Sequence, residues 1–190
     1  MEMMEDFFIA QSNQLADCLK RHDWSSAIAL RQALAEAWSQ KKQVFICGNG
    51  GSCANAGHWA NDFFYPVSKK IGFGLRVQSL ASNPAVLTCL SNDEGYEEVF
   101  SSQLKVFANP GDLLIVLSGS GNSPNILKAL EVARELGMRS FAVVGFSGGK
   151  CLELADVSNH FPVKDMQLAE DFQIILGHLL MRSLQSEAAK

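Results

Sequence analysis

Apolar residues recur at helical intervals through the first forty positions. Met4, Phe7, Phe8, Leu15, Cys18 and Leu19 mark one helix between Met3 and Leu19, and Ile28, Leu30, Leu34 and Trp38 mark a second between Trp24 and Ser39. The pattern then changes. Val44-Phe-Ile-Cys47 is a short branched run that suits a buried strand, and it breaks at once into Gly48-Asn-Gly-Gly-Ser-Cys53. A helical stretch follows, carrying Asn55, His58, Trp59, Asp62 and Phe63. Leu75 to Leu80 reads as the next strand, and Ser82-Asn83-Pro84 starts a short helix running through Leu90. Ser91 to Phe100 is polar and then amphipathic, and Asn109-Pro-Gly-Asp112 has turn chemistry. Leu113 to Leu117 is the central strand. After Ser118 to Ser123, the residues Ile126, Leu127, Leu130, Val132, Ala133 and Leu136 form a helix closed by Gly137. Ser140 to Val144 is a strand and Gly145 to Gly149 a turn. A short helix near Leu152 to Leu154, an extended Val157 to Val163 and a last helix from about Asp165 to Gln185 complete the chain.

Strands alternating with helices predict an α/β fold: a doubly wound, flavodoxin-like parallel sheet of about five strands flanked by helices, with two additional N-terminal helices. Such sheets bind ligands at the carboxyl ends of their strands, and both glycine loops fall on that edge. The leading helical pair, residues 3–40, lies outside the repeating unit and must bury its stripe, so a neighbouring subunit is an expected partner. Trp24, Trp38 and Phe7 read as packing residues, and His22 and His160 as structural.

With 190 residues and 47% hydrophobic content, the sequence predicts one folded domain spanning 1–190. A net charge of −4 with scattered Lys and Arg gives no footprint for nucleic acid or an anionic membrane. No apolar run approaches the roughly 20 residues of a membrane span, and the acidic start Met1-Glu-Met-Met-Glu-Asp6 is unlike a basic leader. Five cysteines (Cys18, Cys47, Cys53, Cys89, Cys151) include no Cys-x-x-Cys pair and no even framework, so a reducing cytoplasm is expected.

The candidate chemistry starts at Ser118-Gly-Ser-Gly-Asn-Ser123. Gly119 and Gly121 allow a tight backbone that exposes N–H groups, and Ser118, Ser120 and Ser123 add hydroxyls. Ser123-Pro124 then opens a helix whose positive end points at the same spot. No lysine lies in the loop and the glycine spacing misses the dinucleotide fingerprint, so the donors suit a sugar phosphate better than a nucleotide. His58 and Asp62 stand four apart on one helix face, a spacing compatible with joint metal binding or with a coupled acid/base pair.

Together, Gly48-Asn-Gly-Gly-Ser52, Asn92-Asp93-x-Gly95-Tyr96 and Ser118-Gly-Ser-Gly-Asn-Ser123 resemble the sugar isomerase (SIS) domain, and within it the phosphoheptose isomerase group, over essentially the whole chain. The resemblance implies aldose–ketose isomerisation of sedoheptulose 7-phosphate to a manno-heptose 7-phosphate, in a homotetramer with sites shared between subunits. It implies phosphate and substrate binding by Asn49, Gly50, Gly51, Ser52, Ser118, Gly119, Ser120 and Ser123, with Asp93 near the sugar. Asp62 and His178 become the acid/base pair of an enediol mechanism, and a zinc site is implied at His58, Asp62, Glu170 and His178. Three positions depart from the family pattern: Asp62 stands where the family has glutamate, Glu170 where it has glutamine and Gln173 where it has histidine. Eight residues of helix rise about 12 Å, so Glu170 and His178 of one straight helix cannot easily meet on one ion unless the helix bends or a second subunit contributes. The alternative that these departures allow is a non-catalytic SIS protein that senses a sugar phosphate or docks on a partner, as one bacterial member does with the replication initiator.

Overall fold

The computed structural model describes residues 2–71 and 73–187. Its chain order is α1 (Glu2–Arg21), α2 (Ser25–Ser39), β1 (Gln43–Gly48), α3 (Gly50–Ile71), β2 (Arg76–Ser79), α4 (Pro84–Asp93), a 3-10 turn at Tyr96–Glu98, α5 (Ser101–Phe107), β3 (Leu113–Ser118), α6 (Pro124–Glu135), β4 (Arg139–Val144), α7 (Cys151–Leu154), β5 (Val157–His160) and α8 (Met166–Glu187). The five strands form one sheet in the order β2-β1-β3-β4-β5, every pair parallel. This is the expected doubly wound order, and its direction of winding reverses between β1 and β3. The loops after those two strands, Gly48–Ser52 and Ser118–Ser123, therefore rise side by side from the sheet's carboxyl edge.

The central strand shows why the sheet is sandwiched. β3 is buried along its whole length, and its side chains divide by the strand's period of two. Leu113, Ile115 and Leu117 enter one core with Ala27, Leu30 and Leu34 of α2, Trp59 and Phe63 of α3 and Phe172 and Leu176 of α8. Leu114 and Val116 enter the other, with Leu104 of α5 and Ile126, Leu130 and Ala133 of α6. Asp112 locks the entry to the sheet. Almost fully buried, its carboxylate accepts from Gln43 N at 2.9 Å and from Asn109 N at 2.8 Å, which satisfies the charge and fixes the Asn109–Asp112 turn.

Only the second half of α1 packs on this body, through Leu15, Cys18 and Leu19. The first half projects Met3, Met4, Phe7, Phe8 and Ile9 into solvent, so Phe7, expected as a packing residue, is 55% exposed. The five cysteines are free thiols. Burial pushes the Cys151 thiol up to about 12 and the Cys47 thiol higher, so neither ionises under ordinary conditions.

His22 closes the end of α1 onto the core. Its ring stacks on Phe161 with centroids 4.0 Å apart and meets Trp24 edge-on at 4.8 Å, while its Nε2 is buried without a hydrogen-bond partner. Burial lowers its pKa from 6.5, outweighing the neighbouring Asp23 carboxylate, with the His160 ring adding to the lowering. The sign follows from linkage: the unfolded chain binds the proton more readily, so this contribution is complete above about pH 6.5 and is lost as the pH falls toward the folded value. His22→Phe, which keeps the ring stack, is expected to flatten the acid side of the stability curve. Melting temperatures of both proteins between pH 7.5 and 5.5 check this, and parallel curves would contradict it.

Candidate active site

The two glycine loops enclose a cavity of about 280 Å³, lined by Asn49, Gly50, Ser52, Leu117, Ser118, Gly119, Ser120, Ser123, Met166 and Glu170. Close backbone packing shapes it. A Cβ on Gly48 would strike the carbonyls of Ser52 and Leu117, and Gly121 holds a φ of +67° against the carbonyl of Gly148, where a side chain has no room. The hydroxyls are kept available. Ser118 Oγ accepts from Gly121 N at 3.1 Å and Ser120 Oγ from Asn122 N at 3.3 Å, so each retains its O–H for a ligand. Ser123, which the sequence suggested as the N-cap of α6, makes no side-chain cap bond, so its hydroxyl too is free to turn inward. The N-termini of α3 and α6 both open at this cavity, each bringing unpaired N–H groups and the positive dipole end. Among the described residues, no lysine or arginine lines it. The arrangement suits a phosphate held by neutral donors.

Helix α8 runs beside α3 in the same direction. Matched contacts descend in order: the Glu170 carboxylate against Gly51, Asn55 Nδ2 donating to Glu170 O and Gln173 Oε1 at 2.9 and 3.1 Å, Trp59 Nε1 donating to Gln173 O at 2.9 Å, and His178 beside His58 and Asp62. Gly177 makes this approach possible, because a Cβ there would occupy the position of the Trp59 indole. The helix pair thus carries two stations, the phosphate cavity at its start and a titratable cluster further along.

At the second station the Nε2 atoms of His58 and His178 lie 2.9 Å apart, and Asp62 Oδ2 lies 3.4 Å from the first and 3.6 Å from the second. Asp62 is nearly buried, its other oxygen accepting from Asn61 Nδ2 at 3.3 Å, while both histidines are half-exposed. Among the described residues, these three form the cluster with metal-ligand geometry. Two imidazole nitrogens and a carboxylate oxygen are the donor types that bind zinc. Ligand atoms about 2.0–2.1 Å from a tetrahedral ion stand about 3.3 Å apart, which the three observed separations bracket. The residues fit the ion, with an outward face left for a fourth ligand.

Glu170, implied as a zinc ligand, does not join this cluster. The helical rise that separates it from His178 leaves it two turns back, with its carboxylate in the wall of the phosphate cavity. Asp93, implied near the sugar, is exposed at the end of α4, bonded to Asn92 Nδ2 at 2.7 Å and Cys89 Sγ at 3.5 Å, and does not line the cavity. In its motif the residue that reaches the site is Tyr96, whose hydroxyl donates to Asn49 Oδ1 at 2.9 Å. Sequence reasoning also passed over Asn125, buried at the start of α6 and bonded to Asn49, and Met166, whose sulfur roofs Gly119. The Asn at the second position of a helix beside a glycine loop was the available signal for Asn125.

The chain is similar to known proteins over most of its length. Residues 7–145 match the SIS domain family. A phosphoheptose isomerase of Helicobacter pylori is 34% identical over 98% of both chains, and one of Rhodospirillum rubrum is 37% identical over 93% of this chain and 95% of that one. The solved phosphoheptose isomerase of Neisseria gonorrhoeae superposes with a TM-score of 0.86 at 25% identity, covering 96% of this chain and 99% of that one. The chain is a SIS-domain protein and belongs to the phosphoheptose isomerase family.

Proposed function

We propose that this protein isomerises a sugar phosphate between ketose and aldose, with sedoheptulose 7-phosphate and D-glycero-manno-heptose 7-phosphate as the pair. The observation that carries the reading is the spacing of the two stations on the α3–α8 pair. From Ser52 to His58 the helix advances about 9 Å. Several carbon–carbon bonds of about 1.5 Å, in a bent chain, span that distance between a terminal phosphate and a carbonyl at the other end. With the phosphate among Ser52, Ser118, Ser120 and Ser123, the C1–C2 end of a seven-carbon substrate meets Asp62, His58 and His178.

Isomerisation needs a base for the carbon-bound proton and a group that manages the proton on oxygen. Asp62, an acceptor in a nearly water-free position, takes the proton from C1 and returns it to C2. With no metal at its Nε2, His178 passes the proton between the two oxygens of the enediol through that atom. His58, Asp62 and His178 would hold a zinc ion, which supplies polarisation of the substrate carbonyl when bound. We assign the exposed apolar half of α1 to a subunit interface in a homotetramer, the chain to a single domain and its free thiols to the cytoplasm. No helix among the described residues is long and apolar enough to cross a membrane.

The direct test supplies sedoheptulose 7-phosphate to the zinc-loaded protein and follows aldose formation, with Ser118→Ala and His178→Ala in parallel. Turnover lost on both substitutions supports the isomerase. Saturable binding by the native protein without turnover would replace it with the sensor reading.

Glu170 yields a separate prediction. Its carboxylate shares the cavity with a phosphate dianion and opposes it, so Glu170→Gln is expected to tighten substrate binding several-fold at neutral pH, with zinc content unchanged. Equilibrium dialysis for zinc and inhibition by inorganic phosphate report the two quantities. Loss of the metal in this variant would return Glu170 to the ligand set.

A further inference from the structure

We propose that Asn125 and Tyr96 are positioning residues that fix the side-chain amide of Asn49 so that it presents an N–H, and not a lone pair, to the bound phosphate. The inference rests on the reading of the serine-lined cavity as the phosphate site and adds two residues to its machinery.

A carboxamide has two lone pairs on oxygen and two hydrogens on nitrogen. For Asn49 nearly all are accounted for. Its Oδ1 accepts from Tyr96 Oη at 2.9 Å and from Asn125 Nδ2 at 2.8 Å, which fills both lone pairs. Its Nδ2 gives one hydrogen to Asn125 Oδ1 at 2.9 Å. One N–H remains, on a side chain that lines the phosphate cavity. An amide turned over about its last bond would set Oδ1 toward the anion, with repulsion where attraction is needed. A phosphate already collecting hydroxyl and backbone donors gains from a donor held in place beforehand.

The partners are built for holding. Asn125 is 1% exposed, on the first turn of α6 directly after the serine loop, so its reciprocal pair with Asn49 ties together the two glycine loops that follow the paired strands β1 and β3. Tyr96 comes from the other side, on the 3-10 turn that follows Gly95, whose φ of 99° bends the chain there. That turn is itself anchored to α6: Glu98 pairs with Lys128 and accepts from Ser101 Oγ at 2.5 Å. Asn49 is thus clamped between a buried amide and a phenol on a tethered turn.

The experiment measures the dissociation constant of inorganic phosphate for the full-length protein and for Tyr96→Phe, Asn125→Ala and Asn49→Ala, and for Tyr96→Phe and Asn125→Ala again in the Asn49→Ala background. Asn49→Ala is expected to weaken phosphate about tenfold, and each partner substitution about threefold to tenfold, the range for losing or loosening one hydrogen bond to a charged group. In the Asn49→Ala background neither partner substitution weakens phosphate further, because the group they orient is gone. Tyr96 is 56% exposed, so its variant folds even if the buried Asn125→Ala does not. Undiminished phosphate affinity in Tyr96→Phe, or equal losses with and without Asn49, would overturn the proposal, the latter by showing that Tyr96 touches the anion itself. Failure of the native protein to bind phosphate would instead overturn the reading of the cavity.

Discussion

Asp62→Asn is expected to lower kcat for sedoheptulose 7-phosphate by roughly 10²–10⁴-fold, the range for removing a general base. The substitution keeps the side chain's size in its nearly buried position but takes away its basicity. Phosphate affinity is expected to stay at the native value, since the serine cavity lies at the other station of the helix pair. The length of the side chain matters as much as its charge. Asp62 Oδ2 stands 3.4 and 3.6 Å from two nitrogens that are 2.9 Å apart, a compact triangle set for an aspartate. Asp62→Glu, which restores the residue type usual in the family, pushes the carboxylate out of that triangle by a methylene. A displacement of about 1 Å costs on the order of a hundredfold where geometry is tight. Steady-state rates for both variants, with inhibition by inorganic phosphate as the control, test the assignment. An Asp62→Glu variant faster than the native protein would show that the native cluster is not tuned for catalysis, and native turnover by Asp62→Asn would remove Asp62 from the reaction.

Much of this site follows from local rules. A branched run that breaks into glycines and serines suits a buried strand leaving the sheet, and the same pattern at Val44–Ser52 places both loops on one edge. The four-residue spacing of His58 and Asp62 gives their common face directly. What sequence could not fix depends on the alignment of distant helices. Whether Glu170 or His178 meets Asp62 is decided by the register of α8 along α3, and that register is set by Gly177 under Trp59 and by the Trp59 bond to Gln173 O, contacts more than a hundred residues apart in the chain. Helical rise is the reason Glu170 and His178 fall at different stations of the α3–α8 pair within one subunit. Tyr96 and Asp93 sit in one polar motif, and nothing local says which of them turns inward. The choice appears only in the long-range bond from Tyr96 to Asn49. The exposed face of α1 has the same origin, for periodicity identifies a stripe without saying what covers it.

Gly121→Ala and Ser123→Ala separate the architecture of the phosphate loop from its chemistry, and Gly121→Ala carries the larger effect. At φ +67° a non-glycine residue costs about 1–3 kcal/mol. The new Cβ would also meet the carbonyl of Gly148, on the turn after β4 that packs beneath the loop, and backbone on backbone has no rotamer to yield. Relief requires the loop to lift, which breaks the bonds from Gly121 N to Ser118 Oγ and from Cys151 N to Gly121 O. The expected loss of about 3 kcal/mol lowers the melting temperature by roughly 6–12 °C in a domain of this size. Phosphate affinity falls with it, because the serine hydroxyls no longer converge. Ser123→Ala removes a hydroxyl that caps nothing, so the melting temperature is expected to hold within a degree or two while phosphate affinity drops about tenfold. Thermal melts with and without saturating phosphate, run on both variants, distinguish the two effects. Loss of stability in Ser123→Ala would show that its hydroxyl serves the helix rather than the ligand, and an unchanged melt for Gly121→Ala would mean that the loop does not need its left-handed glycine.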